Sequence, residues 1–278
     1  MGQLAALQRL DLANNDLDGV IPPELGQLTA LDTLYLGRNQ LGGNIPPALG
    51  ELARLEQLSL AANRLSGAIP PELGQLTSLR ILSLGLNRLS GAIPPELGQL
   101  DVLVDLALSD NQLRGAIPLE LGQLTSLEEL WLINNQLSGT IPPELAQLRR
   151  LERLHLDLNQ LQGPIPAELG QITSLMYLSL SSNRLTDEVP PELGRLTNLK
   201  GLNLEDNLFG GAIPPELGAL PLDMYYGLRL MGNSWSGCLP PAWSNLGMPT
   251  SGSKPWWEEL GLEFCLEDGG FRPPPEMG

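Results

Sequence analysis

The sequence predicts an α/β solenoid, a curved stack of short coils of equal length, and three observations predict it. A 24-residue pattern, LxxLxLxxNxLxGxIPxELGxLxx, starts nine times between Leu7 and Leu199 and a tenth time at Tyr225. By count, 65 of the 278 residues are leucine, whereas aromatic residues make up only 4%. Asparagine occupies the ninth position and proline the sixteenth position of all ten units. A period of this length is typical of proteins whose units stack in a line.

The first half of each unit predicts a β-strand. In the second unit, Leu34 and Leu36 alternate with non-leucine residues, and this period of two is typical of a half-buried strand. Because one unit cannot bury its leucines alone, we expect neighbouring units to pair their strands into a parallel sheet over a shared core. Ten such strands at a spacing of about 4.8 Å would make a concave wall roughly 45–50 Å long.

The second half of each unit predicts a tight turn followed by a short 3-10 or α-helical turn on the convex side. Asn39 follows the strand, where a buried side-chain amide can bond backbone groups that a turning chain leaves unpaired. Glycine at the thirteenth position of nine units indicates a sharp or crowded backbone, and Asp187 replaces it in the eighth unit, where we expect a local bulge. The PPEL segment places proline and glutamate in the first turn of a helix.

The repeat, and above all its tail GxIPxELGxL, resembles the plant-specific subfamily of leucine-rich repeats (LRRs) over about residues 4–246. The resemblance implies an LRR horseshoe or superhelix with a parallel sheet on the concave face and short turns on the convex face. Proteins built from this repeat include the ectodomains of receptor-like kinases, polygalacturonase-inhibiting proteins and arrays attached to Roco-type GTPases. All of them use the solenoid as a recognition surface.

The pattern divides the chain into three parts. Residues 1–6 are predicted to be the tail of an incomplete N-terminal repeat, residues 7–248 to be ten LRRs, and residues 249–278 to be a C-terminal cap. Since no polar cap precedes the first unit, we expect a truncated chain or one module of a longer protein; alternatively, the open first layer pairs end to end with another chain. Cys238 and Cys265 either form a disulfide that holds the cap to the last coil or are buried free thiols.

The chain carries 16 basic and 32 acidic residues, and its net charge of −16 argues against a nucleic-acid or anionic-membrane partner. No apolar run long enough for a membrane span is present. The resemblance slightly favours an extracellular or cell-surface location, whereas the absence of any N-glycosylation triplet keeps a cytoplasmic location open. Half of the charge is a ladder of glutamates at the eighteenth position, which helix N-terminal placement explains: Glu24, Glu72, Glu96, Glu120, Glu144, Glu168, Glu192 and Glu216.

Catalytic and cofactor motifs are missing from the sequence. It contains no nucleotide-binding, phosphate-binding or zinc-protease motif and no Cys/His cluster with metal-ligand spacing, so we predict no cofactor and no metal site. His155, Asp157 and Ser179 could be drawn as a catalytic triad. However, these residues would be neighbours on an open, solvated sheet without a pocket or oxyanion donors. We therefore predict that the protein is not an enzyme. A metal site composed of His155, Asp157 and Asp105 is also disfavoured, because side chains on the strands of adjacent coils are splayed and exposed.

Charge and aromatic residues concentrate at the concave positions of units five to seven. Trp131 is the only tryptophan outside the C-terminal region, and an exposed tryptophan on a strand has no packing reason to be there. Aromatic residues ringed by charge are typical of interface anchors. We therefore predict a ligand-binding site composed of Trp131, His155, Glu129, Asp105, Arg153 and Asp157, with Tyr177 at its edge.

Two functional hypotheses follow. The first is a non-catalytic recognition module that binds a basic or neutral protein or peptide on its concave face, with a role in immune or developmental recognition as the resemblance implies. The second is a structural scaffold or spacer array within a larger multidomain protein, such as a receptor kinase or a Roco GTPase. In that case the residues around Trp131 are surface positions that have drifted within a long repeat array.

Overall fold

The computed structural model describes residues 6–223, 227–245, 260–265 and 271–272. Within these residues, ten parallel strands, one from each coil, form a continuous sheet in sequence order. Neighbouring strands pair one repeat apart, so that Leu130 lies between Leu106 and Leu154. The predicted α/β LRR solenoid with a parallel concave sheet is confirmed. The strands are Arg9–Asp11, Thr33–Tyr35, Gln57–Ser59, Ile81–Ser83, Asp105–Ala107, Glu129–Trp131, Arg153–His155, Tyr177–Ser179, Gly201–Asn203 and Leu228–Arg229.

The convex side is built from 3-10 turns that stack coil on coil. The first nine turns each begin directly after a proline in extended conformation, and most of them have a second proline at the first helical position, as the PPEL segment predicts. The turns are Pro23–Gln27, Pro47–Glu51, Pro71–Gln75, Pro95–Gln99, Leu119–Gln123, Pro143–Gln147, Ala167–Gln171, Pro191–Arg195, Pro215–Ala219 and Pro241–Asn245.

Between the concave strand and the 3-10 turn, most coils add a second short strand. In the eighth coil, where a bulge is predicted, Asp187 adopts the left-handed conformation (φ 65°) that glycine adopts in the other coils. The strand of that coil has only two residues, and the second sheet ends there. The strands of this sheet are Gly42–Gly43, Arg64–Gly67, Arg88–Gly91, Gln112–Gly115, Gln136–Gly139, Gln160–Gly163 and Arg184–Leu185, and a separate pair is formed by Gly210–Ala212 and Ser234–Ser236.

The core is one layer of aliphatic side chains that each coil repeats. Leu130 and Leu132 point inward from their strand and are completely buried, and Leu137, Ile141 and Leu145 complete the layer of that coil from the second strand and the 3-10 turn. Since each layer is covered only by the layers before and after it, stability depends on contact between coils.

The ninth-position asparagine joins two coils. The side-chain amide of Asn111 donates to the carbonyl oxygens of Leu84 (3.1 Å), Leu108 (3.1 Å) and Ser109 (3.2 Å), and its oxygen accepts from the backbone N–H of Leu89 (2.9 Å). Two of these partners belong to the preceding coil. The predicted role of this asparagine in satisfying backbone groups of adjoining coils is confirmed.

A glycine at the twentieth position lies tightly against the next coil. A Cβ atom on Gly98 would lie 2.4 Å from the carbonyl oxygen of Glu120. We expect Gly98→Ala to lower the free energy of unfolding, measured by urea denaturation, by about 1–3 kcal/mol because the two coils must separate. Ala146 occupies the equivalent position of the sixth coil, so Ala146→Gly is the matched control and should be neutral or stabilising. Equal stability of Gly98→Ala and the parent chain would contradict the prediction.

At the C-terminal end, Cys238 and Cys265 form a disulfide with their Cα atoms 5.1 Å apart. The strands Cys238–Leu239, Glu263–Cys265 and Phe271–Arg272 form a small sheet beside the last coil. Phe264 joins the end of the core. Most of the predicted cap at 249–278, like residues 1–5 of the predicted N-terminal tail, lies outside the described residues.

Candidate functional site

The structure brings the predicted site residues together on adjacent concave strands. Glu129 pairs in register with Arg153, and Trp131 pairs with His155. Asp105 lies beside Glu129 on the preceding strand. Side chains of paired residues point to the same face of the sheet, so these groups form one surface.

Trp131 and His155 form a stacked pair in the middle of the sheet. Their ring centroids are 4.3 Å apart and their planes differ by 2°. The indole N–H of Trp131 donates to Glu129 (2.9 Å), and the guanidinium of Arg153 also donates to the Glu129 carboxylate. Trp131 is therefore half-buried and held by two neighbours, His155 and Glu129, and the prediction of an exposed tryptophan is wrong in this respect.

Arg153 extends this arrangement toward the next coil. Its guanidinium carbon lies 5.6 Å from the centroid of the Tyr177 ring, a cation–π distance. The side chains of Arg153 and Glu129 are about two-thirds buried, at 32% and 30% exposure. We refer to the group held by these contacts as the central ridge, which consists of Glu129, Trp131, Arg153, His155 and Tyr177.

Asp157 lies below the central ridge and is 8% exposed. Its carboxylate accepts hydrogen bonds from the Ser179 hydroxyl and from the backbone N–H (3.2 Å) and hydroxyl (2.8 Å) of Ser181. Nδ1 of His155 lies 3.6 Å from its second oxygen. Burial acts to raise the pKa of Asp157, but the hydrogen bonds from His155, Ser179 and Ser181 outweigh it, so the pKa lies below its ordinary value.

This network corrects the sequence-based view of the three residues as solvated neighbours. Ser179 is also 8% exposed, and its hydroxyl donates to Asp157 rather than to His155. A catalytic serine needs a base that takes its proton, and the base is in turn oriented by the carboxylate. Here the carboxylate lies between the other two groups, so the geometry fixes Asp157 and His155 and does not activate Ser179.

Asp105 differs from the other site residues in the state of its carboxylate. Its Oδ1 is buried and has no hydrogen-bond partner in the described part of the chain. Burial, together with repulsion from Glu129, raises the pKa of Asp105 to about 6. The carboxylate of Glu129 is already occupied by Trp131 and Arg153. Asp105 is thus the site carboxylate for which the chain supplies no cation among the described residues.

A groove lies on the C-terminal side of the central ridge, although the sequence predicted no pocket. Its volume is about 380 Å³. Gly201 opens it, because this strand position carries larger side chains in the preceding coils. Arg229 closes its far end and lies 3.7 Å from Glu205. The C-terminal groove is lined by Arg153, His155, Tyr177, Leu178, Ser179, Gly201, Asn203 and Arg229.

A second groove, with a volume of about 450 Å³, lies on the N-terminal side of the ridge. Ser59 and Ser83 form its floor at the strand position that carries Tyr35 before them and, beyond Ala107, Trp131 after them. This run of small residues is the signal that the sequence reasoning missed. The N-terminal groove is lined by Ala13, Asn14, Tyr35, Gly37, Arg38, Ser59, Ala61, Ala62, Ile81, Ser83, Leu86 and Asp105.

Comparison with protein families finds the Leucine Rich Repeat family in seven segments that make up more than half of the chain: residues 6–28, 30–52, 54–76, 78–100, 126–148, 174–196 and 198–220. The chain belongs to the leucine-rich repeat family. A comparison of this LRR chain with curated proteins finds no match. No helix in the described ranges has the length and apolar character that crossing a bilayer requires.

Solved structures similar to this LRR chain include plant receptor ectodomains. A crystal structure of a TDR receptor superimposes with a TM-score of 0.84 at 33% identity, over 87% of this chain and 42% of the receptor chain. The Arabidopsis receptor kinase HAESA, in complex with the peptide hormone IDA and the co-receptor SERK1, gives 0.80 at 34% identity, over 88% and 45%. The LRR chain spans less than half of either receptor chain. The predicted resemblance to receptor-like LRR ectodomains is confirmed.

A third similar structure is that of a plant ice-binding protein, with a TM-score of 0.71 at 32% identity, over 83% of the LRR chain and 74% of that protein. Proteins with different ligands therefore share this solenoid. Function must consequently be argued from the side chains of the concave face rather than from the fold.

Proposed function

We propose that the LRR chain is a non-catalytic recognition module that binds an extended peptide, or an extended segment of a protein, along its concave face. The central ridge is the observation that carries this proposal. Its aromatic and charged side chains already hold one another through stacking, a hydrogen bond and an ion pair. Side chains ordered before binding lose little entropy when a ligand arrives, and aromatic and arginine residues dominate binding energy at interfaces.

The dimensions of the concave face fit an extended chain. Tyr35 in the N-terminal groove and Arg229 at the far end of the C-terminal groove are separated by eight strand spacings. At about 4.8 Å per spacing this is roughly 38 Å, which an extended peptide covers with about 11–12 residues at ~3.3 Å each. The grooves would receive the two halves of such a peptide, and the central ridge would contact its middle.

The charge of the face favours a basic or neutral ligand. Glu129 and Arg153 neutralise each other, whereas Asp105 has no cation beside it among the described residues and Asp157 has only His155. An anionic ligand would meet repulsion from both carboxylates. Complementary charge increases association rates and excludes wrong partners.

We further infer that the module acts outside the cell or at its surface, in immune or developmental recognition. Disulfides such as Cys238–Cys265 persist in oxidising compartments. The similar HAESA structure is a receptor kinase in complex with a peptide hormone, which supports a peptide as the ligand class.

Replacement of Trp131 tests the proposal. A phage-displayed library of random twelve-residue peptides would be selected on the immobilised LRR chain, and the affinities of the selected peptides measured by calorimetry. We expect Trp131→Ala to weaken their binding about 30-fold, as the loss of about 2 kcal/mol at a hot spot predicts. Gln136→Ala, an exposed change in the same coil but in the second sheet, is the matched control and should leave the affinity unchanged.

Two results would contradict the proposal and favour a scaffold or spacer array. One is the failure of the library to yield any peptide that binds. The other is a set of peptides that bind Trp131→Ala as tightly as the parent chain. Thermal unfolding of both variants should give transitions within a few degrees of the parent, so that lost binding cannot be attributed to lost folding.

A further inference from the structure

The N-terminal groove is long enough for a defined part of a peptide. It extends over the first five coils, from Ala13 to Asp105, with Ser59 and Ser83 on its floor. Four strand spacings of about 4.8 Å amount to roughly 19 Å, the length of about six extended residues. The central ridge lies beyond one end of the groove, because Trp131 follows Ser83 and Ala107 along the sheet.

Asp105 lies at the ridge end of the N-terminal groove without a countercharge. Glu129 faces it from the following strand, and the preceding strand places the apolar Ile81 beside it. Its Oδ1 has no hydrogen-bond partner among the described residues. A cation brought by a ligand would offset both the repulsion from Glu129 and the burial of the carboxylate, which together raise the pKa of Asp105 to about 6.

Leu86 lies on the rim of the same groove, at the eighth position of its coil, where the backbone is left-handed in every coil. Its φ is 55°, in the left-handed region, and 57% of it is exposed. This conformation is unfavourable for leucine, whereas asparagine and aspartate tolerate it and occupy the same position as Asp110 and Asn134 in the next two coils. An exposed leucine on the rim of a groove is suited to contact an apolar group of a ligand.

We propose that the N-terminal groove is a subsite for a short peptide segment that contains a lysine or arginine followed or preceded by an apolar residue. The cationic group lies against Asp105, and the apolar side chain lies against Leu86 and Ile81. The subsite rests on the proposed function of the concave face, and it specifies which residues the ligand must carry and where they bind.

The first test removes the positive charge of the peptide and the negative charge of Asp105, first separately and then together. Peptides selected on the parent chain should share a lysine or arginine, and its replacement by norleucine should weaken binding to the parent at least about tenfold. The same replacement should have no further effect on Asp105→Asn, because the two changes remove one interaction. Asp101→Asn, an exposed change at the end of the preceding coil, is the matched control and should bind like the parent.

The second test uses pH. A bound cation favours the ionised form of Asp105, so complex formation releases a proton when Asp105 is protonated in the free chain. The affinity should therefore rise as the pH increases from 5 to 7 and level off above it. Because Glu129 faces Asp105 and other charged groups lie elsewhere in the site, the decisive quantity is the part of the pH dependence of affinity that Asp105→Asn removes.

The third test uses Leu86. Leu86→Asn should weaken binding of the selected peptides about fivefold or more while leaving the fold intact, because asparagine suits the left-handed backbone. Leu158→Asn is the matched control, since Leu158 has the same φ of 55° and similar exposure but does not line either groove. Its affinity for the peptides should equal that of the parent.

The outcomes separate this inference from the proposed function. Peptides that need Trp131 but share no basic residue, or that bind Asp105→Asn and Leu86→Asn as tightly as the parent, would overturn the N-terminal subsite and leave the concave recognition site standing. A selection that yields no Trp131-dependent peptide would overturn both.

Discussion

Replacement of Asn111 by alanine is expected to lower the free energy of unfolding by about 3–5 kcal/mol. The side-chain N–H groups of Asn111 donate hydrogen bonds to the carbonyl oxygens of Leu84 and Leu108, and its side-chain oxygen accepts one from the backbone N–H of Leu89, all at 2.9–3.1 Å. Alanine would leave these groups unsatisfied in a buried place, and each such group costs about 1–3 kcal/mol. Urea unfolding followed by circular dichroism measures the loss.

Asn15 provides the matched control for this change. It occupies the same ninth position, but it is exposed and, among the described residues, bonds only Leu12 and Ala13 of its own coil. We therefore expect Asn15→Ala to cost less than about 1 kcal/mol. Similar losses in Asn15→Ala and Asn111→Ala would show that the asparagine stabilises its own turn rather than the contact between coils.

The features that repeat are the ones that the sequence could predict. Leu34 and Leu36, Asn39 and the PPEL segment recur at a constant spacing, so the period assigns each to the same place in every coil. Stacked coils then place paired residues one period apart, which is why the cluster of Glu129 and Trp131 with their neighbours could be predicted. The structure confirms these strands, turns and asparagine bonds.

The contacts of residues that do not repeat could not be predicted in this way. Asp157 lies on the concave face, yet Ser179 and Ser181 of the next coil cover and bond it. The period gives their positions but not the conformations of their side chains. The grooves depend on missing volume, at Gly201 on one side of the central ridge and at Ser83 on the other. A pattern search that looks for chemically active residues passes over such small ones.

Removal of the disulfide is expected to have the second large effect. Cys265→Ser opens a bond between residues 27 positions apart, and the loss of this constraint on the unfolded chain corresponds to about 3.5 kcal/mol. The effect should be local, because each coil contacts only its neighbours. We expect hydrogen exchange to show lost protection in the strands Cys238–Leu239 and Glu263–Cys265 and unchanged protection in the strand Glu129–Trp131.

The controls for this prediction are other ways of removing the same disulfide. Cys238→Ser and the double serine variant should lose the same stability as Cys265→Ser, since all three remove one disulfide, and dithiothreitol should bring the parent chain to the same state. The N-terminal groove lies four or more coils from this end. The affinity of the reduced chain for the basic segment of the selected peptides should therefore be within about twofold of that of the oxidised chain. Lost protection that spreads evenly to Glu129–Trp131 would mean instead that the array unfolds as one unit, and that the C-terminal disulfide stabilises the binding face as well as the end of the core.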